Sequence, residues 1–310
     1  MNDKIEALVQ SVEQVIVGKR EVIQQVVCAL LCNGHVLIED VPGVGKTQLV
    51  AALSRSLNGV FHRIQLTPDI MPSDIVGFSM INQKTMEMEY RPGAAICNFL
   101  LADEINRASP KVQSSLLEIM EEYQISLDGE THTLPKPFMV MATQNPVETY
   151  GTFHLPEAQM DRFFMRISMG YPTAAEEAHI LERTECYNPI ENITKPALHL
   201  DTVLELQEQV KQIAVREAVR SYILNLVAAT RNQDEVTLGV SPRGSIALYK
   251  AIKANAFLFE RTYATPDDVK KMAECVLAHR VILSAKGKTI YGTAGNYIRA
   301  LLGNVPVPMG

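Results

Sequence analysis

Apolar and polar positions follow two different patterns along the chain, and the pattern changes near residue 172. Between residues 35 and 170, short apolar runs typical of buried strands alternate with segments that have the 3.6-residue period of helices. From about residue 174 onward, only the helical period remains. This change predicts a mostly parallel sheet covered by helices over residues 1–171, and a smaller all-helical domain over residues 172–310.

The predicted elements have ordinary lengths and clear end signals. The helix near residue 266 begins with Thr-Pro-Asp-Asp, which combines an N-cap, an N1 proline and acids at the positive end of the helix. The predicted strands span residues 35–40, 60–66, 96–104, 138–145 and 163–169. The predicted helices span residues 2–14, 20–32, 47–57, 109–122, 203–213, 216–231, 244–259 and 266–283.

Two segments interrupt the alternation of strands and helices. Residues 67–95 are rich in Pro, Asp, Gly and Met and have only weak periodicity, and insertions of that length are usually functional or disordered. Residues 123–134 contain two short alternating runs around Asp128-Gly129, a dipeptide typical of two-residue hairpin turns. We therefore expect a functional insertion in the first segment and a β-hairpin in the second.

Composition places the chain among soluble proteins of the cytoplasm. Of its 310 residues, 47% are hydrophobic and 21% are charged, which is ordinary for a globular protein. The sequence contains no apolar run of about 18 residues that would span a membrane, and its N-terminus has no apolar core of a signal peptide. Its five cysteines are scattered and form no disulfide framework, which favours a reducing compartment.

The charge of the chain argues against nucleic acid as the main ligand. The formal net charge is −6, and the basic residues are dispersed rather than gathered into one stripe. A large nucleic-acid or anionic-lipid footprint normally needs such a stripe. We therefore expect no nucleic-acid partner, although a local basic loop in an assembled ring stays compatible with this composition.

A glycine-rich turn follows the first predicted strand and leads into a helix, a context that surrounds an anion with backbone N–H groups. The turn matches the phosphate-binding pattern G-x-x-x-x-G-K-[ST], except that Asp40 stands in place of the first glycine. Lys46 would reach the β- and γ-phosphates, and Thr47 would offer its hydroxyl to Mg²⁺. Because a carboxylate facing a triphosphate would be repelled, we expect the Asp40 side chain to point away. The predicted nucleotide-binding residues are Pro42, Gly43, Val44, Gly45, Lys46, Thr47 and Gln48.

Polar residues end the next two buried strands. Asp103 and Glu104 follow an apolar run, at the strand end where open α/β sheets bind ligands. Asp103 can hold Mg²⁺ through water, and Glu104 can polarise the attacking water. Asn145 ends a later strand and could orient that water, although an Asn before Pro is also ordinary turn chemistry.

Two arginines are further candidates, because phosphoryl transfer gains from a guanidinium at the γ-phosphate. Arg162 lies in the segment PEAQMDRFF and Arg243 in VSPRGS. Each could equally be solvated, or paired with a local acid such as Asp161. The residues alone leave these alternatives open.

Four segments together closely resemble the MoxR family of AAA+ ATPases, and the resemblance runs from about residue 17 to the C-terminus. They are EDVPGVGKT, LTPDIMPSDIVG, NFLLADEINRASPKVQSSLLEIMEE and ATQNPVETYGTFHLPEAQMDRFF. The resemblance implies a P-loop core with a five-stranded sheet in the order 5-1-4-3-2 and a helical lid. It also implies a helix-2 insert at about 67–95 and a pre-sensor-1 hairpin at about 123–134, both facing the pore of a ring.

The resemblance also implies roles for individual residues. Val17 and Gly18 resemble the linker that contacts adenine, and Asn145 resembles sensor 1. Arg162 is similar to the arginine finger that reaches a neighbour's nucleotide. Arg243 is similar to sensor 2, which closes on the bound γ-phosphate.

The resemblance further implies ATP and Mg²⁺ as cofactors, a homohexameric ring, a protein client and a partner with a von Willebrand factor A domain. The expected activity is ATP hydrolysis coupled to remodelling, assembly or activation of that client.

A motor subunit of a metal-chelatase type stays an alternative. A nucleic-acid motor is disfavoured, because residues 79–93 hold only Lys84 and Arg91 against Glu87 and Glu89. A GTPase lacks support, since no Asn-Lys-x-Asp segment occurs. A non-catalytic scaffold would show no turnover.

Overall fold

A five-stranded parallel sheet forms the centre of the N-terminal part in the computed structural model, which describes residues 1–146, 151–184 and 189–308. The sheet order is β2-β5-β8-β1-β9, which corresponds to the expected order 5-1-4-3-2 when these five strands are numbered along the chain. The expected fold class is therefore confirmed. The strands of this sheet are β1 (Val36–Glu39), β2 (Phe61–Gln65), β5 (Phe99–Asp103), β8 (Met139–Gln144) and β9 (Met165–Ile167).

Helices cover both faces of this sheet and make up most of the C-terminal part. The helices before residue 170 are α1 (Asp3–Glu13), α2 (Arg20–Leu31), α3 (Lys46–Ser56), α4 (Pro72–Val76), α5 (Pro110–Glu122) and α6 (Glu157–Met160). Those after it are α7 (Ala174–Thr184), α8 (Leu200–Lys211), α9 (Glu217–Ala228), α10 (Pro242–Leu258), α11 (Pro266–Leu277), α12 (Ala285–Tyr291) and α13 (Ala294–Asn304). Short 3₁₀ turns span Ile105–Arg107, Pro189–Asn192 and Ala278–Arg280.

Strand β1 is the central constraint on the sheet. It pairs in parallel with β8 on one side and with β9 on the other, with Val36 opposite both Met141 and Met165. Its first three residues are fully buried, which explains why the strand reads as a continuous apolar run rather than an alternating one. Because all five strands are parallel, their carboxyl ends lie at one edge of the sheet.

Two β-hairpins project from this α/β part. The segment 67–95 contains α4 followed by the antiparallel strands β3 (Gly77–Ile81) and β4 (Met88–Pro92). The second hairpin pairs β6 (Gln124–Leu127) with β7 (Glu130–Thr133). Its two turn residues, Asp128 and Gly129, have φ of 51° and 82°, as the dipeptide predicts.

The C-terminal part is helical, with one short exception. Strands β10 (Val236–Leu238) and β11 (Ile282–Leu283) form a two-stranded antiparallel pair, so the expectation of an all-helical domain is wrong in this detail. The predicted helix 266–283 also ends earlier, at Leu277. It ends there because the next residues turn to contact the α/β part, where Arg280 is 6% exposed.

The two parts share a hydrophobic core. One cluster of buried side chains extends from Ile5 in α1, through Val36 in β1, to Ile298 in α13. The backbone N–H of Asn2 also donates to the carbonyl of Leu258, 2.9 Å away at the end of α10. The helical part is therefore packed on the N-terminal helices rather than attached by a flexible linker.

Arg280 forms the main buried polar link between the two parts. Its guanidinium pairs with Asp161 at 2.6 Å and donates to the carbonyl oxygens of Phe163, Phe164 and Val276. Burial lowers the pKa of Arg280, and the hydrogen bond and charge of Asp161 oppose this shift. The segment between α6 and β9 is thus fixed against the 3₁₀ turn after α11.

His35 provides a second buried polar link, at the start of β1. Its Nε2 donates to the Met120 carbonyl at 2.8 Å, and its Nδ1 accepts from the Val140 N–H at 2.9 Å. Burial lowers the pKa of His35 to about 4, although the bond to Met120 opposes the shift. His35 is therefore neutral in the folded protein at physiological pH and connects α5 to β8.

No helix within the described residues is long and apolar enough to cross a bilayer.

Substitution of Arg280 by Met should lower the free energy of unfolding by about 3 kcal/mol, because it removes the buried guanidinium that pairs with Asp161 and donates to several carbonyl oxygens. Urea denaturation of the full chain measures this change. The matched control is Arg299→Met, whose ion pair with Glu274 is exposed (61% and 42% for the two side chains) and should contribute far less to stability. Equal effects of the two substitutions would contradict a special role for Arg280.

Acidification should destabilise the protein through His35. The unfolded chain takes up a proton near the ordinary pKa of 6.5, whereas the folded chain does so only near pH 4. Stability contributed by neutral His35 is thus present above pH 6.5 and is lost as the pH falls toward 4, by about 3 kcal/mol in all. Denaturation at pH 7.5 and pH 4.5 should show a smaller loss for His35→Gln than for the natural chain. The exposed control His154→Gln should leave the loss unchanged.

Candidate active site at the carboxyl edge of the sheet

The glycine-rich turn lies between the end of β1 and the start of α3. Gly43 and Gly45 have φ of 86° and 93°, a region that side chains with a Cβ rarely adopt. Space beside Gly43 is open, since nothing lies within 4 Å of the position that a Cβ would take. The turn therefore exposes backbone N–H groups and the N-terminus of an 11-residue helix, α3, to the same open space.

The Asp40 side chain points away from this turn, as expected from charge repulsion. Its Oδ2 accepts from the Ser168 hydroxyl and from the backbone N–H groups of Met169 and Gly170, at 3.0, 2.6 and 2.7 Å. Its Oδ1 accepts from the Val41 N–H at 2.9 Å. The carboxylate that replaces the usual glycine is thus buried against the chain that follows β9.

One cavity of about 380 Å³ brings the central candidates together. Strand ends from β1, β5 and β8 meet here because the strands are parallel and adjacent. Six of the seven predicted residues of the turn, all but Val44, and the three polar residues at strand ends line this cavity. The lining includes Pro42, Gly43, Gly45, Lys46, Thr47, Gln48, Arg63, Asp103, Glu104 and Asn145.

Thr143 organises the acidic pair. Its hydroxyl donates to Asp103 Oδ1 at 2.5 Å and accepts from the Glu104 N–H at 2.8 Å. Glu104 has φ of 59°, so the strand conformation ends there and a 3₁₀ turn follows at Ile105–Arg107. The two carboxylates consequently leave the strand end in different directions, although they are adjacent in sequence.

Each charged group of the cavity has a partner within the protein. Lys46 Nζ donates to the Asp40 carbonyl oxygen at 2.9 Å. Asp103 pairs with Arg63 at 2.7 Å, and Glu104 lies 3.4 Å from Arg107 Nε. A bound triphosphate with a cation would therefore exchange existing contacts rather than fill bare positions.

Arg162 and Arg243 lie together at a different place. Glu121, near the end of α5, accepts from Arg243 Nη2 at 2.5 Å with one oxygen and lies 3.2 Å from Arg162 Nε with the other. Both arginines line a second cavity of about 270 Å³, together with Asn33 and His35. Asp161 pairs with Arg280 instead, so the local pairing of Arg162 that the sequence leaves open does not occur.

The two cavities lie at opposite ends of the parallel strands, the first at their carboxyl ends and the second at their amino ends. Helix α5 begins after the carboxyl end of β5 and reaches Glu121 about 17 Å farther along its axis. Residues 33–35 directly precede β1, whereas the glycine-rich turn follows it. The structure therefore does not bring Arg162 or Arg243 to the phosphate turn of their own chain.

Val17 and Gly18 lie outside the lining of the phosphate cavity but close to it. A methyl group of the preceding residue, Ile16, is 4.0 Å from the Cβ position of Gly45. The carboxyl group of Glu176, on α7, occupies the space beside Gly18, where a Cβ would stand only 1.7 Å from Oε1. The segment is thus enclosed between the phosphate turn and the helical part.

Several contacts of these sites have no clear sequence signal. Arg63 stands on a strand that alternates regularly, and only the strand order places it beside Asp103. Glu121 is one of several acids at the end of α5, and only the tertiary fold shows that it meets both arginines. Arg63 is a polar residue in the alternating pattern of β2. Knowledge that β2 lies beside β5 would have indicated its contact with Asp103.

Two family patterns match the chain in the same order as the two structural parts. The pattern described as "ATPase family associated with various cellular activities (AAA)" matches residues 35–165. The pattern described as "AAA lid domain" matches residues 228–292. The first includes the phosphate turn and both polar strand ends, and the second includes Arg243.

Individual proteins are similar to this chain over most of its length. The uncharacterized protein YeaC of Bacillus subtilis is 48% identical over 97% of this chain and 94% of its own. Chaperone MoxR1 of Mycobacterium tuberculosis is 41% identical over 90% of this chain and 76% of its own. A crystal structure of a candidate ATPase from Cytophaga hutchinsonii superimposes with a TM-score of 0.91 at 36% identity, over 99% of this chain and 96% of that one.

Proposed function

This chain belongs to the MoxR family of AAA+ ATPases, and we propose that it hydrolyses ATP, with Mg²⁺, at the carboxyl edge of its sheet to drive remodelling of a protein client. The observation that carries the proposal is the single cavity lined by Lys46, Thr47, Asp103, Glu104 and Asn145. The printed name of a 41% identical relative, a chaperone, supports the client side of the proposal. Turnover distinguishes it from a nucleotide-binding scaffold.

The phosphate turn binds the triphosphate. N–H groups of the turn and the N-terminus of α3 point into the open space beside Gly43 and stabilise negative charge there. Lys46 transfers its hydrogen bond from the Asp40 carbonyl to the β- and γ-phosphates. Val17 and Gly18, enclosed beside the turn, contact the adenine.

The donor set fits a hard divalent cation. Thr47 offers a hydroxyl and Asp103 a carboxylate, the oxygen ligands that Mg²⁺ prefers, and both line the phosphate cavity. Thr143 holds one oxygen of Asp103, which orients the other toward Arg63 and the cavity. When bound, Mg²⁺ would neutralise charge on the phosphates during transfer. Arg63 must release Asp103 for this, so its exposed side chain acts as an exchangeable counterion.

Glu104 and Asn145 act on the attacking water. Glu104 accepts a proton from that water, and the hydrogen bond from its N–H to Thr143 fixes its backbone at the strand end. Asn145 is 7% exposed and lies at the end of the adjacent strand β8, where its amide orients the same water. Arg107 Nε lies 3.4 Å from Glu104 and holds this carboxylate at the strand end before nucleotide binds.

Arg162 and Arg243 act on the nucleotide of a neighbouring subunit. Each is at least one-third exposed on its side chain, and both meet at Glu121, far from the phosphate turn of their own chain. Two guanidinium groups side by side are suited to the charge that develops on a γ-phosphate. We therefore propose a homohexameric ring in which each site is completed by the next subunit.

The two hairpins are the proposed client-contact surface. Their strands are linked by stacking of Tyr90 on His132, with ring centres 3.9 Å apart. The first hairpin exposes large apolar side chains, 42% to 76% exposed, which suits contact with an unfolded protein segment rather than with nucleic acid. These side chains are Phe78, Met80, Ile81, Met86 and Met88. A von Willebrand factor A-domain protein is the proposed partner in delivering the client.

Substitution of Glu104 by Gln should leave ATP binding intact while lowering kcat at least about a hundredfold, because the proton acceptor is removed and Asp103 remains. Nucleotide-binding titration and phosphate release measure the two effects separately. Glu205→Gln, an exposed change on α8, is the matched control and should behave like the natural chain. Unchanged kcat in Glu104→Gln would contradict the assigned role.

Mixing inactive variants tests where the two arginines act. Lys46→Ala should lose ATP binding, and Arg162→Ala and Arg243→Ala should bind ATP but fail in turnover. In a random mixture of Lys46→Ala with Arg162→Ala, about a quarter of subunit interfaces combine an intact Lys46 with an intact arginine from the neighbour, so turnover should partly return. The mixture with Arg243→Ala should recover as well.

The second mixture is the sharper test of the geometry. If Arg243 instead closed on the nucleotide of its own chain, no subunit or interface in that mixture would hold a complete site, and turnover would stay absent. Recovery only in the mixture with Arg162→Ala would thus show that Arg162 acts on the neighbour's nucleotide and Arg243 on that of its own chain. Failure of both mixtures would contradict a site shared between subunits.

A further inference from the structure

Asp40 joins the phosphate turn to the start of the helical part through two different groups. Its backbone carbonyl accepts from Lys46, the central cation of the turn. Its carboxylate accepts from four donors, three of which belong to the consecutive residues 168–170. Asp40 therefore contacts both Lys46, which is expected to bind phosphate, and residues 168–170, which connect the two parts of the protein.

The position of this residue makes the contact rigid. Asp40 directly follows β1, and its N–H continues the sheet pairing by donating to the Gln144 carbonyl at 3.1 Å. Its side chain is buried, with only 7% of the residue exposed. A buried carboxylate is stable only when its oxygens are satisfied, and here each of the four hydrogen bonds is 3.0 Å or shorter.

The segment held by Asp40 leads directly into the helical part. Residues 168–170 follow β9 and precede α7, and the next residue, Tyr171, accepts from Lys19 Nζ at 2.9 Å through its carbonyl. The terminal methyl of Met169 also lies 3.9 Å from the Cβ position of Gly45 in the turn. Residues 168–171 thus contact the phosphate turn through Asp40 and Met169, and contact Lys19 through Tyr171. A displacement of the turn would strain these contacts.

We propose that Asp40 is a positioning residue that couples occupation of the phosphate turn to the placement of the segment 168–170, which leads into the helical part. When ATP takes Lys46 from the Asp40 carbonyl, the carboxylate of the same residue carries the resulting shift to residues 168–170. A glycine at this position, as in the general phosphate-binding pattern, could bind phosphate but could not transmit the shift. This inference rests on the proposed ATPase function.

Three substitutions form a graded series. Asp40→Gly restores the general pattern and removes the whole carboxylate. Asp40→Asn keeps nearly the same shape but only one acceptor oxygen, so it can satisfy either Val41 or the 168–170 segment. Ser168→Ala removes a single donor and leaves both backbone N–H bonds, so it serves as the matched control.

Loss of the Asp40 carboxylate should lower turnover without weakening ATP binding. Removing a carboxylate next to the turn lowers repulsion of the triphosphate, so Asp40→Gly should bind ATP as tightly as the natural chain or up to about threefold more tightly. Its kcat should fall about tenfold, Asp40→Asn should be intermediate, and Ser168→Ala should stay within about twofold. A residue that merely stabilises the fold would weaken binding and turnover together.

Hydrogen exchange of peptides covering residues 165–173 supplies the direct measurement. In protein without added nucleotide, the amides of Met169 and Gly170 should exchange about tenfold faster in Asp40→Gly than in the natural chain, because their acceptor is gone. Addition of ATP should change exchange of this segment in the natural chain but not in Asp40→Gly. If Asp40→Gly does not fold, the nearly isosteric Asp40→Asn provides the same comparison at reduced amplitude, with Ser168→Ala as its control.

The outcomes separate the two proposals. If the natural chain neither binds nor hydrolyses ATP, the proposed function fails, and the coupling fails with it. If the natural chain is active and both Asp40 variants keep its kcat and its exchange response to ATP, only the coupling is overturned. Tighter or equal binding with reduced turnover and a lost exchange response would support the assignment of Asp40.

Discussion

Parallel pairing of β1 between β8 and β9 is the constraint on which the rest of the structure depends. Strands that run in one direction bring their carboxyl ends to one edge, and this edge collects the phosphate turn, the acidic pair and Asn145. The same geometry sends helix α5 back to the opposite edge, where Glu121 meets Arg162 and Arg243. In the proposed function, these two groups of residues are the two halves of a phosphoryl-transfer site, and the fold holds them apart within one chain. The proposal therefore requires self-association to complete each site.

Buried polar contacts decide how the helical part is fixed to this sheet. Arg280 and Asp161 lie in the shared core, and the N-cap residue of α10, Ser241, donates to Asp161 at 2.7 Å. Because Arg162 follows Asp161 and Arg243 follows Ser241 by two residues, this one network places the two arginines beside each other. Asp40 performs the corresponding task at the other edge of the sheet. Buried charges leave little freedom, since each needs its hydrogen-bond partners in place.

Charge neutralisation within the cavity has a functional consequence. Lys46, Asp103 and Glu104 each contact a protein group that a nucleotide and its cation would replace. Exchange of equivalent contacts costs less than desolvation of free charges, and it makes binding sensitive to small movements of the loops that carry the partners. Arg63 and Arg107 are exposed enough to move without disturbing the core, whereas Asp40 is not. The two proposals therefore assign different responses to the same ligand, local exchange at the acids and transmitted movement at Asp40.

The sequence by itself determined the elements and the chemistry that follow from local pattern. Apolar runs marked four of the five strands, and period-two alternation marked the strand at 60–66. Asp128-Gly129 marked a hairpin, and the Gly-x-Gly-Lys-Thr turn indicated a phosphate site from which the Asp40 side chain faces away. Only the tertiary structure decided which side chains meet across long separations. It paired Asp161 with Arg280 rather than Arg162, ended the helix after Leu277, and placed Arg243 with Arg162 instead of at its own phosphate turn. Periodicity reports the environment along one element, whereas these contacts depend on strand order and on the packing of two domains, which no local pattern encodes.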